Sequence, residues 1–220
     1  MVRSTARRTA LALTLTLSLM ACDEALGPGQ GQGSLSVRLS RDDGATAAAA
    51  LVAANLVEAT MGPLPLEAVA SIDVTITAVQ VQREGEDEET GPWVTLDLVA
   101  PATVDLLALP TDGGEGLLVA TDEVDVGSYG HLRLLFSDAS ITLAEDVTLA
   151  GTTFTAGTAY ELTIPSGAQT GIKVQLGGIE VPDGGAAEVE LLFDAATSVG
   201  NVLVTGNGIQ MTPVLHVAGE

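Results

Sequence analysis

The sequence predicts an all-β protein, an antiparallel β-sandwich with one short inserted helix. Beyond residue 33, apolar residues such as Leu35, Val37 and Leu39 alternate with polar ones. A period of two is typical of strands with one buried face. Turn signals separate the runs, among them Pro165-Ser166-Gly167 and Gly206-Asn207-Gly208. No run between them has the length and period of a crossover helix, which favours antiparallel pairing.

The first 22 residues predict export and a lipid anchor. A basic head is followed by an apolar run of about 13 residues, which suits a signal peptide and is too short to span a bilayer. The run ends at Leu19-Met20-Ala21-Cys22, which resembles the lipobox of bacterial lipoproteins. The resemblance implies a lipid on the Cys22 sulfur, removal of residues 1–21, and a place on the inner or outer membrane of a bacterial cell envelope. An ordinary secretory signal with a chance cysteine is the alternative.

Residues 22–33 are predicted to be the lipidated cysteine and a flexible tether. Glycine alternates with other residues from Gly27 to Gly33, a composition typical of flexible linkers. A dinucleotide-binding loop would need a glycine where Gln32 stands. We therefore expect the tether to hold a single domain, residues 34–220, away from the membrane.

The composition limits which partners the protein can bind and what can stabilise its core. The 220-residue chain has 29 acidic and 8 basic residues, a formal net charge of −21, which excludes nucleic acid as a partner. Cys22 is the single cysteine, so the domain has no disulfide and depends on core packing. The rings expected to anchor that core are Trp93, Tyr129, Phe136, Tyr160 and Phe193.

The strands follow one another from Ile72. The alternation of Ile72, Val74 and Ile76 slips by one at Ala78-Val79, which predicts a bulge or a change of exposed face. Further strands are predicted at Val94–Leu98, Leu132–Phe136, Tyr160–Ile164, Ile172–Leu176, Val189–Phe193 and Ile209–Val217.

One segment interrupts the strands. Near residues 44–61 the chain is alanine-rich, with Leu51, Val52 and Leu56 spaced for one helical face, and Gly62-Pro63 follows. This pattern predicts a helical insertion packed on the sandwich. A helix lying on the membrane surface is the alternative, but the segment lacks the lysines and arginines that such helices use.

Several stretches carry a resemblance to a known family. The most specific is Leu162–Val174, and others are Gly127-Ser128-Tyr129 and Phe193–Val199. From about Gly33 to Val217 the chain resembles the bacterial family called domain of unknown function 4382, found mostly in exported lipoproteins. The resemblance implies a transthyretin-like or immunoglobulin-like β-sandwich and no established activity. Independently, we expect the Tyr129 ring to cover a sandwich edge with its hydroxyl near solvent.

The residues that could support catalysis are few, and we expect no catalytic residue and no enzyme. Ser128 lacks the preceding glycine of a nucleophile elbow, since position 126 is Val126. His131 and His216 both fall on predicted strands, where a histidine is more often structural. Lys173, the only lysine, is expected to form an ion pair, and replacing Gly167 with Val is expected to cost stability if that turn position needs a positive φ.

Acidic runs raise the question of calcium. Runs such as Glu84–Glu89 and Asp122–Asp125 could supply oxygen ligands, but none has the spacing of a known calcium loop. Glu84–Gly91 is better interpreted as a solvated hairpin tip. We therefore expect no cofactor, with a structural calcium ion as the alternative.

The function that follows is non-catalytic. We expect a lipid-anchored envelope protein that acts as a binding, adhesion or assembly module for a glycan or a protein partner, by analogy with other sandwiches. The alternatives are a hydrolase with a site made of loop carboxylates and a calcium-stabilised structural spacer.

Overall fold

The computed structural model describes residues 31–42, 64–99, 103–111, 113–149, 151–205 and 208–219. The strands are β1 (Gln32–Asp42), β2 (Val69–Arg83), β3 (Val94–Leu98), β4 (Thr103–Asp105), β5 (Leu117–Asp125), β6 (Gly127–Leu143), β7 (Val147–Leu149), β8 (Thr152–Phe154), β9 (Ala159–Thr163), β10 (Ile172–Val181), β11 (Ala186–Asp194), β12 (Leu203–Thr205), β13 (Gly208–Gln210) and β14 (Leu215–Val217). A 3-10 turn spans Leu66–Ala68, and a short helix α1 spans Ala195–Gly200.

Twelve of these strands form one curled sheet. Its order is β12-β13-β9-β6-β2-β3-β5-β1-β11-β14, with β10 as a further partner of β6 and β4 as a further partner of β2. The curl occurs at β3, which pairs with β2 through Val94 to Leu96 and with β5 through Asp97 and Leu98. Strands from both sides of β3 contribute to one apolar core. The predicted all-β fold is confirmed, and β7 and β8 form a separate hairpin.

The pairing is mixed, whereas the prediction had it antiparallel throughout. β1 runs parallel to β11, with Ser34 opposite Ala186, and β9 runs parallel to β13. Parallel neighbours need a long connection, and here nearly the whole domain connects β1 to β11. Because no local pattern spans such a distance, periodicity could not reveal it.

The sequence predicts the irregularities of strand pairing only in part. The predicted slip near Ala78 is confirmed, because the register between β2 and β6 shifts between Ile76 and Ala78. The single strand predicted at Ile209–Val217 is wrong: β13 and β14 are separated by residues 211–214. Pro213 lies in the gap, and proline has no N–H to donate to a ladder.

The described helix differs from the predicted one. The insertion near 44–61 lies outside the described residues. Helix α1 was not predicted; it begins after Asp194, whose side chain accepts a hydrogen bond from the Thr197 N–H at 2.8 Å, as an N-cap does. In the part of the chain that is described, no helix is long and apolar enough to cross a bilayer.

The aromatic anchors are mostly placed as predicted. Tyr129 and Phe193 are fully buried and Phe136 is nearly so. Two expectations are wrong. The Tyr129 hydroxyl lies inside the protein, where it donates to the Asp125 carbonyl at 2.9 Å. Trp93 lies outside the core, against Arg133 on the outer side of the sheet.

Candidate functional site

The outer side of β2, β6 and β10 carries a continuous polar surface. Alternation along these strands turns Val81, Leu132 and Val174 into the core and their neighbours outward. We call the outward set the polar face; it consists of Gln80, Gln82, His131, Arg133, Lys173 and Gln175.

The register arranges the polar face in two rows. One row joins Gln80, Arg133 and Lys173, and the other joins Gln82, His131 and Gln175. In the first row the Arg133 Nε donates to Gln80 Oε1 at 2.6 Å, and Gln80 Nε2 donates to Thr95 Oγ1 at 2.8 Å. Because the rows stand on a paired sheet, the backbone fixes their spacing.

The connection between β2 and β3 covers one side of this surface. We call residues 84–93 the acidic loop. Gln82 Nε2 donates to the Asp87 carbonyl at 2.8 Å, and Lys173 Nζ lies 3.1 Å from Glu88 Oε1. The predicted hairpin is present, since β2 and β3 pair antiparallel. The predicted ion pair of Lys173 is confirmed, and its partner is a residue of the acidic loop.

Asp87 gives the acidic loop its shape. Its Oδ1 accepts hydrogen bonds from the Thr90 hydroxyl at 2.7 Å and from the Thr90 and Glu89 N–H groups. These bonds, the hydroxyl of Thr90 first, hold the pKa of the Asp87 carboxyl below its ordinary value, because each favours the charged form. The loop is therefore an ordered turn at neutral pH.

Arg133 is stacked on an aromatic ring. Its Cζ lies 4.2 Å from the centre of the Trp93 ring, a cation–π distance. Burial lowers the pKa of the Arg133 guanidinium from its ordinary value. Among the residues that the structure describes, no carboxylate lies within ion-pair distance of Arg133. Its partly desolvated charge is thus offset by a ring and an amide only.

Three buried polar atoms on or beside the polar face have no hydrogen-bond partner among the residues that the structure describes. They are Gln82 Oε1, Trp93 Nε1 and His131 Nδ1. Gln82 is fully buried, and its other amide atom is already bonded to the loop. Buried polar atoms are normally paired, since leaving one unpaired costs about 1–3 kcal/mol. One of these atoms is a donor, one is an acceptor, and the histidine nitrogen can be either.

A second region is an open cleft of about 230 Å³ beside the other half of β6. Its walls are residues 136–139 of β6, residues 161–164, and the turn at Gly167 and Ala168. It forms where β6 changes partner from β10, at Leu134, to β9, at Ser140. Asp138 and Glu161 bring two carboxylates to its walls.

The turn between β9 and β10 closes one end of this cleft. The Phe136 N–H donates to the Gly167 carbonyl at 3.0 Å, so the turn replaces a strand as partner of β6. Gly167 does not need the positive φ on which its expected cost depended; positive values occur at Ser166 (58°) and Gly171 (69°). Gly167 is instead buried, and a Cβ there would lie 3.1 Å from Ile164 Cγ2.

The residues considered for catalysis are not brought together. His131 lies on β6, and His216 lies on β14 with its Nε2 3.5 Å from Asp42 Oδ2. The Ser128 hydroxyl donates to Glu84 Oε2 at 2.6 Å. Cys22 lies outside the described residues. Within the described ranges, no group of three or more His, Cys, Asp or Glu side chains could hold a metal ion.

Sequence reasoning missed the residues that matter most at the polar face. Gln82 and Arg133 were placed on or beside predicted strands without a role, and Trp93 was expected in the core. One signal was available, since the polar positions of the runs at 80–82 and 131–133 hold Gln, His and Arg. Their proximity depends on the β2–β6 register, which the sequence alone does not specify.

The curled sheet, the single core and the short helix define a β-sandwich-like domain with an extended polar outer face. The particular family follows from a comparison with family models. The chain belongs to the family described as Domain of unknown function (DUF4382), whose model matches residues 49–213. This range starts later than the expected start at Gly33, and it includes both the polar face and the cleft. No curated protein and no solved structure matches the chain.

Proposed function

We propose that this protein is a lipid-anchored protein of the bacterial envelope that binds a glycan or a protein partner without catalysis. The polar face is the proposed recognition surface of this binding, adhesion or assembly module. One observation carries the proposal: three unpartnered buried polar atoms lie on and beside a face built from Gln, His, Arg and Lys.

The energetics of unpaired atoms support this assignment. A ligand that pairs with Gln82 Oε1 and Trp93 Nε1 supplies hydrogen bonds that the described residues do not make. Rows of side chains on a paired sheet lose little entropy on binding, because neighbours already hold them. Arg133 further gains from any electron-rich group, since no described carboxylate lies within ion-pair distance of its charge.

Binding can be tested with one variant of the face and one matched control. Arg133→Gln removes a positive charge from the polar face, and Arg38→Gln removes one from β1. Arg38 pairs with Glu115 and Glu188, and its strand β1 is separated from β2 by β3 and β5 in the sheet order. The full-length protein in detergent would be applied to a glycan array and used to capture partners from envelope extracts. We expect Arg133→Gln alone to lose the signal. Equal signals for both variants would contradict the proposed surface.

The anchor is a separate part of the proposal. The lipobox-like stretch ending at Cys22 supports lipid attachment. Two or three acyl chains anchor a protein to a membrane almost permanently. Replacing Cys22 with Ser should abolish acyl labelling and release the protein from membranes. A Cys22→Ser protein that stays membrane-bound at its unprocessed mass would contradict the lipoprotein assignment.

The cleft favours a second candidate, hydrolysis. Asp138 and Glu161 both line it. Most glycoside hydrolases use a pair of carboxyl side chains in catalysis, one of them as the general acid. Under this alternative, Asp138→Asn and Glu161→Gln would each abolish turnover of a glycan substrate while leaving the thermal unfolding midpoint unchanged. A third candidate is a calcium-stabilised spacer, which calorimetric titration of calcium would test directly.

A further inference from the structure

We infer that the acidic loop is a tethered competitor at the polar face, and that the ligand with which it competes is a saccharide bearing a carboxylate. This inference rests on the proposed function and specifies its ligand. It follows from how the loop is held, which charges it brings, and which atoms of the loop and of the face remain unpaired.

The acidic loop brings negative charge to a basic surface. Within residues 84–89 only Gly85 is not acidic, while Arg133 and Lys173 lie on the polar face. In a chain of net charge −21 this grouping of cations is local, and screening at physiological ionic strength acts over about 8 Å. A small anion in the place of Glu88 would lie beside Lys173, which the strand register pairs with Arg133.

Trp93 stacks on Arg133 at one end of the acidic loop, whereas the tip of the loop makes few described contacts with the face. At its tip, Glu88 pairs with Lys173, and the Asp87 carbonyl accepts from Gln82. The Glu88 side chain is 42% exposed and that of Lys173 28% exposed, and ion pairs of this kind contribute little. Gly91 completes the fit, because a Cβ there would lie 2.6 Å from Gln82 Nε2. A contact this small can exchange for a ligand.

The unpartnered atoms of the polar face and of the acidic loop specify hydroxyl groups as well as an anion. Gln82 Oε1 needs a donor and Trp93 Nε1 needs an acceptor. A hydroxyl group can act as either donor or acceptor, and a sugar carries several hydroxyl groups. A carboxylate on the same molecule would take the place of Glu88 at Lys173 and lie near Arg133. These requirements together favour an acidic saccharide over an acidic peptide, whose side chains supply carboxylates but few hydroxyls.

Calorimetric titration of the full-length protein in detergent with hexagalacturonate tests the inference. Its methyl ester, which keeps the hydroxyls and removes the charges, is the matched ligand. We expect binding of the acid to exceed that of the ester. Glu88→Gln should raise the affinity for the acid roughly two- to five-fold, the range spanned by a surface ion pair. Glu89→Gln makes the same change in net charge but has no described contact with a cation, and it should leave the affinity unchanged.

A second variant opens the loop without changing its charge. Gly91→Ala places a methyl group against Gln82 and the Asp87 carbonyl, and it should also raise the affinity for hexagalacturonate. Trp93→Phe keeps a ring but removes Nε1–H, and it should lower the affinity several-fold.

Each contrary outcome identifies what has failed. Equal gains for Glu88→Gln and Glu89→Gln would show a general charge effect and overturn the tethered competitor. Equal binding of acid and ester would overturn recognition of a carboxylate. Absence of hexagalacturonate binding in every variant would overturn the ligand class, whereas the proposed function would fall only if the array and the capture experiment also show no dependence on Arg133.

Discussion

The two halves of β6 are built differently, and each borders a different candidate site. In the first half, His131 to Leu134 pair without a register shift with β2 on one side and β10 on the other, and the outward side chains join the polar face. In the second half, β9 takes over only from Ser140, and the ladder with β2 shifts register on both sides of Ile76. Continuous pairing gives a fixed surface, whereas a change of partner opens a cleft.

This difference explains why the two sites have different chemistry. In the fully paired half, function depends on side chains, because backbone groups there are satisfied by neighbouring strands. In the other half, a turn has to supply a partner for the β6 backbone, as the Gly167 carbonyl does for the Phe136 N–H. The polar face is therefore suited to recognition by fixed side chains, and the cleft depends on the turn beside it.

The largest expected effect concerns the point where β6 changes partner. Gly171 has a φ of 69°, and a Cβ there would lie 2.5 Å from the Leu134 carbonyl oxygen. Gly171→Ala should lower the free energy of unfolding by roughly 2–4 kcal/mol, from backbone strain and from the clash. Urea denaturation measures the change.

A glycine with similar strain but no neighbour provides the control. Gly157 has a φ of 68°, and no atom lies within 4 Å of the position that a Cβ would occupy there. Gly157→Ala should therefore cost only about 1 kcal/mol. Equal costs for the two variants would mean that the approach of Gly171 to β6 contributes nothing to stability.

The second prediction compares the loss of two tyrosine hydroxyls, one beside each half of β6. Tyr129, in the first half, is fully buried and donates to the Asp125 carbonyl. Tyr160 faces the second half from β9, is partly exposed, and accepts from the Thr155 N–H at 2.7 Å. Tyr129→Phe should cost about 1 kcal/mol, and Tyr160→Phe less, because water can replace its exposed bond. Thermal unfolding of both variants would show whether this order holds.

The same tyrosine predicts a dependence of stability on pH. Burial raises the pKa of the Tyr129 hydroxyl above its ordinary value, and the nearby charge of Arg83 opposes this only in part. The unfolded chain then loses the phenolic proton first, so the stabilisation is complete below about pH 10 and declines as pH rises towards the folded pKa. The Tyr129→Phe variant should lack this alkaline decline. A decline of the same size in the variant would assign it to other groups.

Periodicity in the sequence predicted the regularly paired strands and missed irregular ones. Alternation identified β1, and it identified the first half of β6, where inward residues are buried and outward ones are polar. It missed β5, whose Leu117 to Ala120 segment has no period of two and lies beside a register shift after Val37. A bulge removes the periodic signal at the place where the sheet adapts its shape.

The candidate sites were harder to predict than the fold, for a physical reason. The sequence shows polar residues at 80, 82, 131 and 133, but whether their side chains come together depends on the non-local pairing of β2 with β6. Trp93 was assigned to the core because large rings usually are buried there. In the structure, stacking on Arg133 outside the sheet takes the place of core packing. The Lys173 ion pair could be predicted, since a single lysine in an acidic chain readily meets a carboxylate.

The smallest expected effect tests whether the polar face is free for a ligand. Trp93 Nε1 is buried and unpartnered, while the ring of Trp93 packs on Arg133. Trp93→Phe keeps an aromatic ring and removes the donor, so it should change the free energy of unfolding by no more than about 0.5 kcal/mol, because no hydrogen bond is lost. Trp93→Ala removes the ring as well and should cost clearly more. A cost of about 1 kcal/mol or more in Trp93→Phe would show that Nε1–H is bonded within the folded protein. That donor would then serve stability, and recognition at the polar face would have to rely on its charged side chains instead.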